Sequence, residues 1–258
     1  MPSAHALRLQ IERSLEHRFP AALSPAPRMA REKAATGIDE IDDLLDGGLP
    51  IGAISELTGP QCSGRTSVAL AFLGQRTQQG HVCAWVDSED VLDPESAAAN
   101  GVRLQQLLWV RCRDADVKRK KDAKPWARLD QAIRATDLLL QAGGFAAIVL
   151  DLGSTATEHA RRIPLATWFR FRQAAGRTQC SLIVLGQDAY AQSSAELVLE
   201  CAALRANTSG KTVLNGFTYE VRSGRVVASH SPLSLIGRRK APASAWCASS
   251  PWDMEKRA

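Results

Sequence analysis

Apolar and polar positions follow two rhythms along this chain, and their order predicts alternating strands and helices. AAIVLDLG (146–153) is apolar at nearly every position until Asp151, and SLIVLGQD (181–188) is apolar up to Gly186. Such runs suit strands covered on both faces, as in a parallel sheet between helices. AISELTGP (53–60), HVCAWVDSED (81–90) and LLWVRC (107–112) read as three further strands. TSVALAFLGQRTQQ (66–79), ARLDQAIRATDLLLQAGG (127–144) and a segment around 164–176 read as helices, the second stopped by its two glycines. TGIDEIDDLLDGGLP (36–50) reads as a short capped helix ending at Gly47-Gly48, and DPESAAANGV (93–102) as another. ELVLECAAL and FTYEVRSGRVVASH alternate like strands, with a hairpin expected across Arg222–Arg225. The fold class expected is α/β, a mainly parallel sheet between helices.

The flanks break this rhythm. Residues 4–17 have helical spacing, and FPAALSPAPRMAREKAAT, with three prolines, reads as an extended linker. Residues 1–35 are thus expected to form an N-terminal arm for contact with a partner or a second copy, ahead of a core at 36–236. RCRDADVKRKKDAK (111–124) is a basic loop, and 237–258 is expected to be a basic, disordered tail. The formal net charge of +5 over 258 residues is too small to assign an anionic partner. Six cysteines without a C-x-x-C pair or a histidine cluster argue against a metal centre and for reduced thiols in a cytoplasmic protein. No apolar run reaches the ~18 residues that would span a bilayer, so no membrane partner is expected.

The chemistry concentrates after the first core strand. Gly59-Pro60-Gln61-Cys62-Ser63-Gly64-Arg65-Thr66, followed by Ser67, fits the phosphate-loop pattern G-x-x-x-x-G-K-[ST] with arginine in place of lysine. Glycines at both ends permit a nest of backbone N–H groups, and the following helix turns its positive end to the phosphates. Thr66 supplies the hydroxyl that commonly holds Mg²⁺. Arg65 keeps the charge but replaces a compact ammonium with a wide planar fork, so nucleotide binding with weakened hydrolysis is expected. Asp151 ends a strand where a carboxylate reaches Mg²⁺ or its water. Glu89 is placed to orient or deprotonate an attacking water, and Gln187 to sense a γ-phosphate. All lie at carboxyl ends of strands, where open parallel sheets bind ligands. ATP and Mg²⁺ are the cofactors expected.

These segments resemble the successive motifs of bacterial RecA recombinases over about residues 36–230. The resemblance implies a RecA-like core in which Glu89 is the catalytic glutamate, Asp93 lies near adenine, Asp151 is the Walker B carboxylate and Gln187 couples γ-phosphate to DNA. It places Arg222 and Arg225 near residues that reach a neighbour's ATP, with no full C-terminal RecA domain. Departures accompany it: Ser96 stands where the family has an aromatic residue, the stretch 152–186 is shortened, and DAYAQSSA leads almost directly into the next strand. A core trimmed in this way, with Trp-Phe-Arg-Phe-Arg at 168–172, resembles the ImuA branch of translesion-synthesis accessories. That resemblance implies an ATP-binding SOS-response protein that contacts RecA or a polymerase-like partner. Two alternatives stay open. One is a single-stranded-DNA-dependent ATPase of recombinational repair, with Arg161, Arg162, Arg170, Arg172 and the run 118–124 on phosphates and Trp168, Phe169 and Phe171 stacking on bases. The other is a catalytically dead nucleotide-binding scaffold.

Overall fold

In the computed structural model, residues 31–113, 126–209, 213–226 and 243–249 are described. The principal strands are β1 (Lys33–Ala34), β2 (Leu49–Pro50), β3 (Ile54–Thr58), β4 (Cys83–Asp87), β5 (Leu107–Arg111), β6 (Ala147–Asp151), β7 (Ser181–Gly186), β8 (Leu197–Ser209), β9 (Val213–Val226) and β10 (Ala243–Ser249). The helices are α1 (Asp39–Leu44), α2 (Arg65–Gln78), α3 (Pro94–Ala99), α4 (Ala127–Ala142), α5 (Thr157–Ala160) and α6 (Leu165–Thr178). Eight strands form one sheet in the order β10-β9-β8-β3-β7-β6-β4-β5. From β8 to β5 every pairing is parallel, while β9 and β10 add antiparallel to one side. The expected α/β architecture is therefore present.

The continuous apolar strands explain the two helix layers. Because side chains alternate across a strand, Leu57, Trp85, Val149 and Ile183 meet Val68, Phe72 and Leu73 of α2 on one face. Ile54, Val86, Ile148 and Val184 meet Leu129 and Leu140 of α4 and Trp168 and Phe171 of α6 on the other. Trp168 and Phe171 are fully buried and pack edge to face, with ring centroids 5.9 Å apart. They are core residues, leaving Phe169, 53% exposed, as the aromatic of that motif that faces solvent. No helix among the described residues is long and apolar enough to cross a membrane. The six cysteines are free thiols, four of them buried.

Three expectations are corrected. The hairpin does not turn at Arg222–Arg225, because β9 runs straight through those residues and its link to β8 falls at 210–212, outside the described residues. Gly224 is instead the extra residue of a β-bulge: Val198 pairs with Arg225 and Leu199 with Ser223. Glycine suits this position, since a Cβ there would stand 3.1 Å from a Glu200 carboxylate oxygen. The second correction concerns the tail. Residues 243–249 form edge strand β10, paired Trp246 to Tyr219, and Trp246 is buried against that ring. One large inward aromatic supplies burial that the surrounding small residues lack. Third, the core begins before Thr36. β1 pairs with β2, and Arg31 bonds Glu196 at 2.8 Å and the Gly52 carbonyl at 2.7 Å. The expected helix at 4–17, the linker up to residue 30, the basic run 118–124 and the end of the tail lie outside the described residues.

Glu56, on central strand β3, is buried and holds the segment that follows Gln187. Its Oε1 accepts the backbone N–H groups of Tyr190 (2.6 Å) and Ala191 (2.9 Å), and Oε2 has no partner. Burial pushes its pKa up, against the pull of those two N–H groups. A raised folded-state pKa makes the contribution to stability complete at low pH and lost as pH rises through the folded value. Glu56→Gln keeps an acceptor without the charge. Its urea midpoint is expected to pull ahead of wild type as the pH rises from 4 to 8, whereas parallel curves would refute a buried charge here. Glu56→Ala leaves two buried N–H groups unpaired, at about 1–3 kcal/mol each.

Candidate phosphate-binding site

The loop between β3 and α2 has the backbone shape its glycines allow. Gly59 (φ +148°), Cys62 (φ +59°) and Gly64 (φ +88°) all take positive φ. Gly64 is the N-cap of α2, and no side chain caps the helix's positive end by a hydrogen bond. Ser63 is 2% exposed and its Oγ has no hydrogen-bond partner. Pro60, Gln61, Cys62 and Thr66 are exposed, and Ser67 is half-buried.

Arg65 turns inward. Its Nη1 donates to the carbonyls of Gly59 (2.5 Å) and Gly186 (2.5 Å), and Nη2 to that of Gly153 (3.3 Å). The guanidinium thus ties together the carboxyl ends of β3, β7 and β6, and the residue is 8% exposed. Burial lowers its pKa, with the charge of Asp151 opposing. Gly153 permits the approach, since a Cβ there would lie 3.0 Å from Arg65 Nη2 and 3.1 Å from Asp151 Oδ1. Asp151 Oδ1 accepts from Gly153 N at 2.9 Å. Its pKa is pushed up to about 6 by burial first and by neighbouring Asp87, while the Gly153 N–H and Arg65 pull it down. Gln187 Nε2 donates to the same Gly153 carbonyl at 3.4 Å. Arg65, Asp151 and Gln187 therefore converge on one turn.

Glu89 and Asp93 are engaged elsewhere. The Glu89 carboxylate meets Arg128 of α4 at 3.2 Å. Asp93 caps α3, accepting from the backbone N–H groups of Glu95 (3.3 Å) and Ser96 (3.1 Å) and from the Ser96 hydroxyl (2.5 Å). The turn carrying Glu89 is held by buried Asp87, which accepts from the N–H groups of Val91 and Leu92 and from the Trp109 indole. The arginines considered for nucleic acid have partners within the chain: Arg161 with Asp188, Arg170 with Asp137, Arg172 with the Ser193 carbonyl, and Arg162 over the Trp126 ring. Arg222 pairs with Glu220 at 2.6 Å and borders a cavity of about 420 Å³ shared with Gly59, Pro60 and Gln187.

A family profile described as the RecA N-terminal domain matches residues 6–160. The chain belongs to this RecA family. It is 43% identical to the protein RecA of Nostoc sp. over 99 residues, covering 38% of this chain and 28% of that protein. With the protein RecA of Synechocystis sp. the identity is 31% over 185 residues, 69% of this chain and 50% of the relative. With that of Allorhizobium ampelinum it is 36% over 130 residues, 50% and 32% of the two chains. The chain thus spans half or less of the length of these RecA relatives.

The donor set of the loop fits a phosphate chain. The uncapped end of α2, the glycine-shaped loop and the orphaned Ser63 hydroxyl form a cradle of donors without acceptors. For a divalent cation the oxygens on offer are the hydroxyl of Thr66, an exposed residue on α2, and the carboxyl of Asp151, 6% exposed at the end of β6. Sequence reasoning missed Tyr219 and Trp246. Both rings lie against Gly64, where a Cβ would stand 2.9 Å from Tyr219 Cδ1 and 3.2 Å from Trp246 Cζ2. Trp246, set among the small residues of the supposed tail, was the available signal.

Proposed function

We propose that the chain is an ATP-binding accessory of DNA damage tolerance of the ImuA kind, acting in the SOS response beside RecA or a polymerase-like partner. The observation that carries this reading is the inward-turned Arg65. Its fork holds three backbone carbonyls rather than reaching toward the open side of the loop, so phosphates would be met chiefly by backbone N–H groups. That arrangement favours holding nucleotide over turning it over, because it lacks a mobile cation for developing charge. Thr66 and Asp151 would hold Mg²⁺, which when bound neutralises phosphate charge. The internally paired arginines and buried Trp168 and Phe171 weigh against the DNA-dependent ATPase reading. The arm proper, ahead of Arg31, is assigned to docking on RecA or a second copy.

The test is ATP binding and turnover by the full chain, with and without single-stranded DNA and RecA. Binding with slow turnover that DNA does not accelerate is expected. Fast, DNA-stimulated turnover would select the recombinational ATPase instead, and no binding would remove the nucleotide reading. Undiminished pull-down of RecA by a chain lacking residues 1–30 would remove the arm from this role.

A further inference from the structure

We propose that the cavity between α4 and the α5–α6 junction docks an acidic peptide segment of a partner protein, anchored by one aromatic or leucine side chain. The proposal does not depend on what the phosphate loop holds. The cavity, about 340 Å³, is lined among others by Trp126, Leu129 and Ile133 at the start of α4 and by Ile163 and Pro164 ahead of α6. That volume lies near the low end of the roughly 300–1,000 Å³ of small-molecule pockets, enough for one large side chain. Trp126 keeps 36% of its surface exposed. Arg162 lies over its ring at 5.4 Å and His159 meets it edge to face at 6.3 Å, so the indole is fixed from two sides. Tryptophan and arginine at the mouth of an apolar hollow are the residue types that dominate binding energy at protein interfaces. The apolar surface continues beyond the cavity. Leu165 and Phe169, each 53% exposed, stand one turn apart on α6 directly after Pro164, and exposed Gln173 and Arg177 extend the row.

Charge selects the partner. Between Thr157 and Thr178 five arginines stand against a single acid, Glu158, which puts most of the chain's formal excess of +5 on this one stretch. Arg161 and Arg170 pair with Asp188 and Asp137, but Arg162, Arg172 and Arg177 meet no carboxylate among the described residues. The chain's own flanks do not complement such a surface. Residues 1–30 hold four arginines and two glutamates, and residues 237–258 are net basic as well. A polynucleotide fits less well than a peptide, because its evenly spaced phosphates would also pass Asp130, exposed on the cavity wall. A peptide can set its acids toward α6 alone and turn a backbone or indole N–H to Asp130.

Random peptides displayed on phage and selected on the full chain test the assignment. The enriched sequences are expected to share acidic residues around one aromatic or leucine position. A fluorescent peptide of the leading sequence is then titrated by anisotropy. Ile133→Phe fills the cavity from the half-buried face of α4, and Arg162→Glu reverses the charge at its mouth. Each is expected to weaken the peptide roughly tenfold or more, the loss of one interface hot spot. Melting curves report whether each variant folds, and Arg162→Glu, at an exposed residue, decides the matter if Ile133→Phe does not. Exchanging the peptide's acids for lysines is expected to abolish binding to wild type and to recover part of it on Arg162→Glu. No enrichment, an enriched set without acids, or undiminished peptide binding in the folded variants would overturn the proposal. So would oligothymidylate that displaces the peptide and loses affinity in the same variants, which would make this surface a nucleic-acid site.

Discussion

Arg65→Ala is expected to lower the melting temperature by roughly 6–12 °C, the equivalent of about 3 kcal/mol in a domain of this size. The guanidinium donates to carbonyls at the ends of three adjacent strands and lies beside the buried carboxyl of Asp151. Alanine leaves those acceptors without donors and the acid without its counter-charge, and removal of one member of a buried set costs more than the set itself contributes. Arg65→Lys should lose less, since an ammonium keeps the charge but cannot span the fork. A lysine released from the carbonyls is also expected to raise ATP turnover. Calorimetric melts of the three proteins, with turnover assays beside them, check both claims. An unchanged melt in Arg65→Ala would show that the strand ends hold together without the fork.

Gly59→Ala is the second large effect, at about 2–5 kcal/mol with loss of phosphate binding. Gly59 has φ +148°, and a Cβ there would stand 2.2 Å from the carbonyl oxygen of Cys201. That oxygen belongs to β8, which is locked to β3 through Leu57–Leu199 and Thr58–Glu200, so neither backbone can retreat. Strain at the residue and overpacking against the strand add together. Pro60→Ala, next in the chain and exposed, is the control and should stay within ~0.5 kcal/mol of wild type. Urea midpoints separate the two. A wild-type midpoint for Gly59→Ala would mean that β8 lies farther from the loop than 2.2 Å implies.

The parallel part of the sheet was legible because its strands are buried on both faces and so are written as unbroken apolar runs, as at Ala147–Leu150. The loop was legible for a different reason: its glycines and its strand–helix setting are local. What escaped depended on distant partners. Gly224 reads as a turn in isolation, and only the ladder to β8 makes it a bulge. Arg65 reads as a cation for phosphate, because nothing nearby announces the carbonyls of Gly153 and Gly186. Glu56 did leave a signal, a carboxylate inside a strand otherwise apolar, and its meaning appears once Tyr190 and Ala191 are in place. Glu89 and Asp93 illustrate the converse. Their positions along the chain match the resemblance, while their side chains bond Arg128 and the first turn of α3.

The pairing of β10 with β9 also sets an order of assembly. β3, the loop and α2 leave the ribosome early and are neighbours in sequence, whereas Trp246 is among the last described residues to be synthesised. Contacts between such distant segments form late, after the loop-closure entropy has been met. A nascent or nicked chain would therefore own its phosphate cradle before it owned the indole beside it. A nucleotide met at that stage would be held by a loop that Tyr219 and Trp246 do not yet cover at Gly64, and the site would be complete only when the final strand docked.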